Sequence, residues 1–549
     1  MNYFNKKHVV AIGTLLILFS LILGSCVKDI LDLTNIKNVH IEDDYNPDFA
    51  VPLLHANLSA LDFADKYDVS ELIRIEDDYL ITILYKSRDW YGYAKDYIVI
   101  PDQHFSLGPL VYNTGGDDSV RVTTNILFDE NQEHSVPFND GEEIVFLEVK
   151  SGFLILNVHS TFPRSGQLEL SIPYAKQNGL PYSKTIPLNW NWPSITLTDS
   201  IDLSKVEFDL SKGGTLFNTV PVEYIITLNP NSRFVHASDE INITADFKDV
   251  KFAYIEGNLG AEIVPYSADT MSLTLFDGTE ADRVSFVDPK IKVNVYNSTG
   301  LPIRVDPPYF SSFSKKHGEL ELSGSLVNSP IDILYPIPSE VGVTKYTLVE
   351  ANKSNSNLPQ VVNNMPKYIN YDLTVRTNPD GKSYSNFALD TSYVKVNVDM
   401  ELPAYGRSEE WAFDFPTKVD PIDFDLKIIE EAEFSIVIAN DFPVEIAVQL
   451  YIIDSSETII DSLMDKSDYF IAAAHIGVDH RTITPAKSVT KIVFNEDRME
   501  NIAKMRKVRA VVCLSTKNKG QEDIKIFADS RIDLKLGLRT KLKVNLNDL

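Results

Sequence analysis

Asn218-Thr-Val-Pro221-Val-Glu-Tyr-Ile-Ile-Thr-Leu228 returns later in the chain as Asn440-Asp-Phe-Pro443-Val-Glu-Ile-Ala-Val-Gln-Leu450. In both copies an asparagine, which tolerates unusual backbone angles, ends one element, and a proline fixes the turn before the next begins. Beyond each proline the residues alternate apolar and polar side chains and are rich in β-branched types, the pattern of a half-buried strand. Neither Asn nor Pro needs a ligand to explain it. A looser copy of the turn stands at Asn297-Ser-Thr-Gly-Leu-Pro302. Further matches keep the same order. Pro173 pairs with Pro403, Ile201-Asp202-Leu203 with Ile422-Asp423-Phe424, and the run ending at Gly257 with that ending at Gly477. Ile263-Val264-Pro265 pairs with Ile483-Thr484-Pro485, and Leu275-Phe276-Asp277 with Val493-Phe494-Asn495, all at offsets between 218 and 230 residues. A narrow range of offsets is what tandem duplication with small loop changes leaves. It predicts that Asn218 and Pro221 superpose on Asn440 and Pro443.

Outward from these copies the period is two, as in 79–85, 168–172, 291–296, 394–402 and 434–438. Short strands bounded by Asn, Gly, Pro or Asp predict an all-β fold of tandem β-sandwich units, Ig-like or related, with a few short helices. Helices are expected at 57–67, capped by Asn57, and at 497–507, where Met499, Ile502, Ala503 and Met505 supply an apolar face. The expected organisation is a signal segment at 1–25, a polar tether at 26–48 and an N-terminal β-rich domain at 49–149. A first repeat unit comes next at 150–305, then a connecting β-rich segment at 306–384 and a second unit at 385–549. The last ends in a long alternating run, with Ile532, Leu534, Leu536, Leu538, Leu542, Val544 and Leu546 on one face and Lys535, Arg539, Lys541 and Lys543 on the other. Its cationic face fits an edge strand whose lysines discourage aggregation.

Acidic side chains outnumber basic ones 78 to 51, giving a formal charge of −27. Such a field repels phosphate backbones, so nucleic acid is not an expected partner. Of the two cysteines, Cys513 lies in an apolar run and reads as a small core residue. No HExxH, paired CxxC, phosphate-cradling glycine loop or GxSxG elbow is present. His475 and His480 with Asp479 between them read as a strand running into a turn, so neither a cofactor nor a metal is expected, and no catalytic residue is assigned.

The N-terminus carries Lys6 and Lys7, an apolar run from Val9 to Leu23, and then Leu23-Gly24-Ser25-Cys26. The run has the length of a signal-peptide core and is short for a membrane span. The last four residues resemble the lipobox of bacterial lipoproteins, in which the cysteine thiol takes a diacylglycerol. That resemblance implies that Cys26 becomes a lipidated N-terminus and that the membrane is a partner through its acyl chains. Val27-Lys28-Asp29 partially resembles the surface-export signal of Bacteroidetes-type lipoproteins. Together with Asn46-Pro47-Asp48-Phe49-Ala50-Val51-Pro52-Leu53 and the repeated Asn-x-x-Pro strands, these features resemble large β-rich outer-membrane lipoproteins of that type. The resemblance implies the cell surface as location and carries over no catalytic residue.

Aromatic clusters are the functional lead, because exposed rings stack on the apolar faces of sugars while polar neighbours take the hydroxyls. Trp90, Tyr91, Tyr93 and Tyr97 interleave with Arg88, Asp89, Gly92, Lys95 and Asp96, a composition that suits a partly exposed ligand-binding surface. Trp190 and Trp192, between an apolar segment and the Pro193 turn, suit packing instead. The expected function is therefore a non-enzymatic surface module that binds a glycan or an outer-membrane protein. A structural or adhesive spacer is the alternative, and a hydrolase with an unrecognised site a more distant one.

Overall fold

The computed structural model describes residues 48–60, 73–138, 141–273, 283–409, 411–418, 429–462 and 471–542. Among them the alternating segments become strands that pair antiparallel. The protein is all-β and of sandwich type. Its strands sort into three eight-stranded units of identical connectivity. In each, strands counted in chain order form one sheet ordered first, eighth, third, sixth and a second ordered second, seventh, fourth, fifth. Within the sandwich class this is the jelly-roll order.

The inner roll is built, in order, from Gln103–Val111, Ile126–Ser135, Glu143–Ser160, Gly166–Gln177, Leu180–Leu188, Ile195–Asp202, Thr219–Leu228 and Glu240–Asn258. The middle roll takes Ile81–Lys86, Ile263–Ser272, Lys290–Asn297, a fourth strand broken into Ile303–Val305 and Tyr309–Ser314, and a fifth formed by Gly318–Glu321 and Ile331–Ile333. Lys345–Ala351, Tyr368–Thr377 and Tyr393–Pro403 complete it. The outer roll takes Asp48–Ser59, Trp411–Lys418, Ile429–Asn440, Val444–Ile453, Ile459–Ser462, Ala486–Asn495, Lys507–Thr516 and Arg531–Leu542. Between the sixth and seventh strands lies a short helix, Leu358–Asn363 in the middle roll and Glu496–Lys504 in the outer. The inner roll has the strand Val206–Asp209 there, which pairs with both its third and fourth strands.

The rolls are nested. The whole inner roll lies between the first and second strands of the middle roll, and both lie between the first and second strands of the outer one. The chain therefore threads one strand through each roll on the way in and completes them in reverse order on the way out. Asp48–Ser59 thus pairs with Arg531–Leu542, joining Asp48 to Lys541.

Each roll buries its own apolar rows. Leu154, Leu156, Leu168, Ile226 and Ile243 lie in the inner core, and Ile291, Phe310, Tyr371 and Leu402 in the middle one. Phe434 and Phe494 meet edge to face at 5.7 Å in the outer. Both long inner strands bend at one place, where Gly152 (φ 150°) faces Val250; a Cβ there would come within 2.8 Å of the Val250 Cα. Ridges of main-chain pairing join the rolls. Asn386–Leu389 pairs with Tyr254 to Gly257 of the inner roll, and Tyr405–Glu409 bridges Arg283–Phe286 of the middle roll to Ile524–Lys525 of the outer. At the second junction Arg481 stacks on Phe527 at 3.7 Å and pairs with Asp529 at 2.8 Å.

The expected superposition of Asn218 and Pro221 on Asn440 and Pro443 does not hold, although the three rolls share one connectivity. Asn218, at φ 52°, directly precedes the seventh strand of the inner roll, whereas Asn440 ends the third strand of the outer. The counterpart of Asn440 is Asn297, which ends the third strand of the middle roll; both side chains are buried and accept a hydrogen bond from the backbone N–H two residues on. Local strand-turn grammar recurs at several connections, so a short match misassigns its position. The expected boundary at 149/150 falls inside Glu143–Ser160, and those at 305/306 and 384/385 fall inside the middle roll. Within the C-terminal run, Arg531–Leu542 is one unbroken strand, paired on both sides and so interior rather than an edge, while 543–549 lie outside the described residues. Asn57 to Ser59 continue a strand rather than cap a helix, and 61–67 of the expected helix lie outside the described residues, while Glu496–Lys504 is capped by the Asn495 side chain. Cys26 lies outside the described residues, and so does the Cys513 side chain.

Candidate functional site

The middle roll turns the first, eighth, third and sixth strands of one sheet toward solvent, and a further strand, Trp90–Tyr93, adds to its eighth. Alternation assigns every second side chain to each face. On Tyr393–Pro403, Val396, Val398 and Met400 enter the core, leaving Tyr393, Lys395, Asn397 and Asp399 outward. Pairing then sets Tyr93 beside Tyr393, Tyr91 beside Lys395, Lys395 beside Tyr296, and Tyr296 beside Tyr346. Five tyrosines from four separate strands thus share one face.

Their rings touch. Tyr91 and Tyr93 stack at 5.9 Å with planes 9° apart, and Tyr393 leans on both, at 5.9 and 6.3 Å. Tyr296 and Tyr346 meet at 5.0 Å. The Lys395 ammonium lies between the two groups, 5.6 Å from the Tyr91 ring and 5.5 Å from Tyr296. Tyr91 and Tyr346 are 43% and 45% exposed, so ring faces remain for a ligand. Gly92 permits this strand to lie flat, since the Trp90 ring crosses over it and a Cβ would sit 2.7 Å from Trp90 Cη2.

Polar groups beside the rings are held by one network. Lys395 pairs with Asp89 at 2.9 Å, and Asn397 Nδ2 donates to the same carboxylate at 3.0 Å. Those two contacts hold the Asp89 carboxyl below its ordinary range, and Asp89 in turn raises the Lys395 ammonium. Asn294 donates to Asn397 Oδ1 and to Asp399, and accepts from the Tyr346 hydroxyl at 2.8 Å. Burial pushes the Asp399 carboxyl up. Along the same face, burial would also raise Glu401, but hydrogen bonds from Arg74 and Lys292, each at 2.8 Å, outweigh it and hold the carboxyl down. The arrangement offers flat apolar ring faces flanked by fixed donors and acceptors. Among the described residues no group of histidine, cysteine and carboxylate side chains has the makings of a metal site.

Of the residues singled out in the sequence, Tyr91 and Tyr93 belong to this face. Trp90 is half-buried and packs against the middle core, and Tyr97 is exposed on the short helix Ala94–Tyr97 outside the stacked rings. Tyr296, Tyr346 and Tyr393 were not anticipated; their signal was an outward polar or aromatic residue at every second position of otherwise valine-rich strands. Packing was expected for Trp190 and Trp192. Trp190 does pack against the inner core, but Trp192 is 75% exposed, because it lies in the connection between the fifth and sixth strands, which no other roll covers among the described residues.

No family model matches the chain, and no curated protein does. Among solved structures, it is similar to a protein of Parabacteroides distasonis provisionally described as secreted, at 10% identity and a TM-score of 0.26 over 90% of this chain and 99% of that one. It is similar to infectious bursal disease virus, Gx strain, at 11% identity and TM-score 0.15 over 79% and 74%. The PBSX exported protein XepA aligns at 11% identity and TM-score 0.13 over 53% and 88%. Overlaps this loose carry no argument about function, and the strand pairings alone define the class: a nested triple jelly roll. No helix among the described residues is long and apolar enough to cross a membrane.

Proposed function

We propose that this protein is a lipid-anchored, non-enzymatic binding protein of the bacterial cell surface, and that it holds a glycan on the tyrosine face of its middle roll. The observation that carries the reading is the five-ring surface of Tyr91, Tyr93, Tyr296, Tyr346 and Tyr393 with Lys395, Asp89 and Asn397 fixed beside it. Sugar rings present C–H faces to aromatic rings and hydroxyls to such polar groups. The lipobox ending at Cys26 supports the anchor, and the Lys28-Asp29 pair supports export to the outer face of the outer membrane. Asp48 enters the outer roll at the end opposite its junction with the middle roll, so a tether there leaves the outer roll between the anchor and the tyrosine face.

A second reading, a protein partner, is favoured by a different observation. Leu334, Ile337, Val341 and Val343 are exposed in the connection leading to Lys345–Ala351, next to Tyr346 and Leu348, and exposed apolar surface of this extent marks interaction sites. Glycan-array binding by the full chain, compared with Tyr91→Ala combined with Tyr393→Ala, separates the two. Loss of glycan binding at unchanged melting temperature supports the first reading. Unaltered glycan binding, or turnover of a bound polysaccharide, would overturn it.

A further inference from the structure

At both junctions the connection after the seventh strand of one roll meets the next roll inward. In the inner roll the same end is built from 112–125, 161–165, 189–194 and 229–239, and no strand pairing or hydrogen bond among the described residues joins it to another roll. This free end is unusual in its side chains. Arg121, Arg164 and Arg233 are all the arginines between residues 103 and 258, and all three are here.

They divide into two roles. Arg164 is fully buried, donating to the Val122 and Asn229 carbonyls, and so it ties the first connection to the last. Ser165 beside it accepts from the Trp190 N–H, and Asn231 donates to the Pro163 carbonyl, fixing the remaining connections. Arg233 stacks on Trp190 at 4.1 Å, Trp192 meets Trp190 edge-on at 6.3 Å, and Arg121 lies 5.5 Å over the ring of Phe234, which is directly opposite it in a two-stranded ribbon. Neither Arg121 nor Arg233 has a carboxylate within ion-pair distance among the described residues, whereas Lys150, Lys212 and Lys248 of the same roll are each paired with one. Arg233 is thus left without a carboxylate partner beside the Trp190–Trp192 pair, and Arg121 likewise on the neighbouring ribbon, so both guanidiniums keep donors for an incoming anion.

We propose that this end of the inner roll is a second binding site, for an acidic carbohydrate. The Trp192 ring takes a sugar face, and Arg233 and Arg121 take its carboxylate or sulfate groups, which guanidinium binds through paired N–H donors. Arg164 acts as a positioning residue. The site is distinct in place and ligand charge from the tyrosine face, so either can fail without the other.

Isothermal titration of the full chain with oligogalacturonate, chondroitin sulfate and neutral cello-oligosaccharide tests it. At least one anionic probe binds, with affinity that falls as salt rises; binding of oligogalacturonate shows that carboxylates suffice, and binding of chondroitin sulfate alone shows that sulfate is required. Trp192→Ala, and Arg121→Gln with Arg233→Gln, each weaken that binding tenfold or more without shifting the melting temperature. Tyr91→Ala with Tyr393→Ala leaves it unchanged. Failure of both anionic probes to bind, unaltered affinity in the Trp192 and arginine variants, or equal loss in the tyrosine variant would overturn the assignment.

Discussion

Replacing Asn440 by alanine should selectively loosen the outer roll. The side chain is fully buried and its amide is used completely: Nδ2 donates to the carbonyls of Val444 and Ala472, both at 2.9 Å, and Oδ1 accepts from the Phe442 N–H at 3.0 Å. Each such bond contributes about 0.5–1.5 kcal/mol net, and a buried group left unpaired costs about 1–3 kcal/mol. Alanine removes three bonds and strands partners beneath a closed turn, so the expected loss is about 3–4 kcal/mol. Asn297 is the internal control, since among the described residues its amide makes only the two bonds to Thr299 and its Nδ2 has no partner. Asn297→Ala should cost about 1–2 kcal/mol. Because three rolls do not unfold as one two-state unit, the assay is hydrogen exchange followed on Ile429–Asn440 and Val444–Ile453. Exchange there should accelerate by roughly a hundredfold or more, at tenfold per 1.4 kcal/mol, with the inner roll unchanged. A loss below about 1 kcal/mol, or a larger one for Asn297, would refute the assignment of these amides as structural turn anchors.

Glu401 is depressed below its unfolded value, so its contribution is present above the ordinary glutamate range and is lost as pH falls through the folded value. Glu401→Gln should destabilise the middle roll by about 1–3 kcal/mol at neutral pH, less than a fully buried pair because Arg74 is partly exposed. The difference between variant and parent in urea midpoint should shrink below pH about 4; a constant gap would count against the triad. Trp192→Ala should change stability by no more than about 0.5 kcal/mol, which thermal unfolding would show. Cys26→Ala should abolish incorporation of labelled fatty acid, and persistent labelling would exclude that cysteine as the anchor.

Period-two alternation was enough to recognise 394–402 as a strand, whose Val396 and Val398 are buried, and composition was enough to single out Tyr91 and Tyr93 as partly exposed. It was not enough to pair strands. Alternation states which side of a strand is apolar and is silent about its neighbour, so nothing in Asp48–Ser59 announces Arg531–Leu542 as its partner. The tyrosine face was half legible for the same reason: Tyr296, Tyr346 and Tyr393 lie in three strands whose adjacency arises only from the jelly-roll order of the middle roll. Trp192 was misjudged because its apolar neighbours suggested packing, while exposure was decided by which end of a roll faces another roll.

Threading gives the molecule a particular mechanical character. Asp48–Ser59, Ile81–Lys86 and Gln103–Val111 succeed one another along the chain, one in each roll. A pull between Asp48 and the free end of the inner roll is therefore transmitted along covalent backbone running lengthwise through all three sandwiches, with the junction contacts in parallel. Each threaded strand is held alongside its eighth-strand partner, so load is applied in shear across many hydrogen bonds at once. Such a shaft resists separation of its rolls even where the contacts between them are small, and it yields only when a whole strand slides out of its sheet.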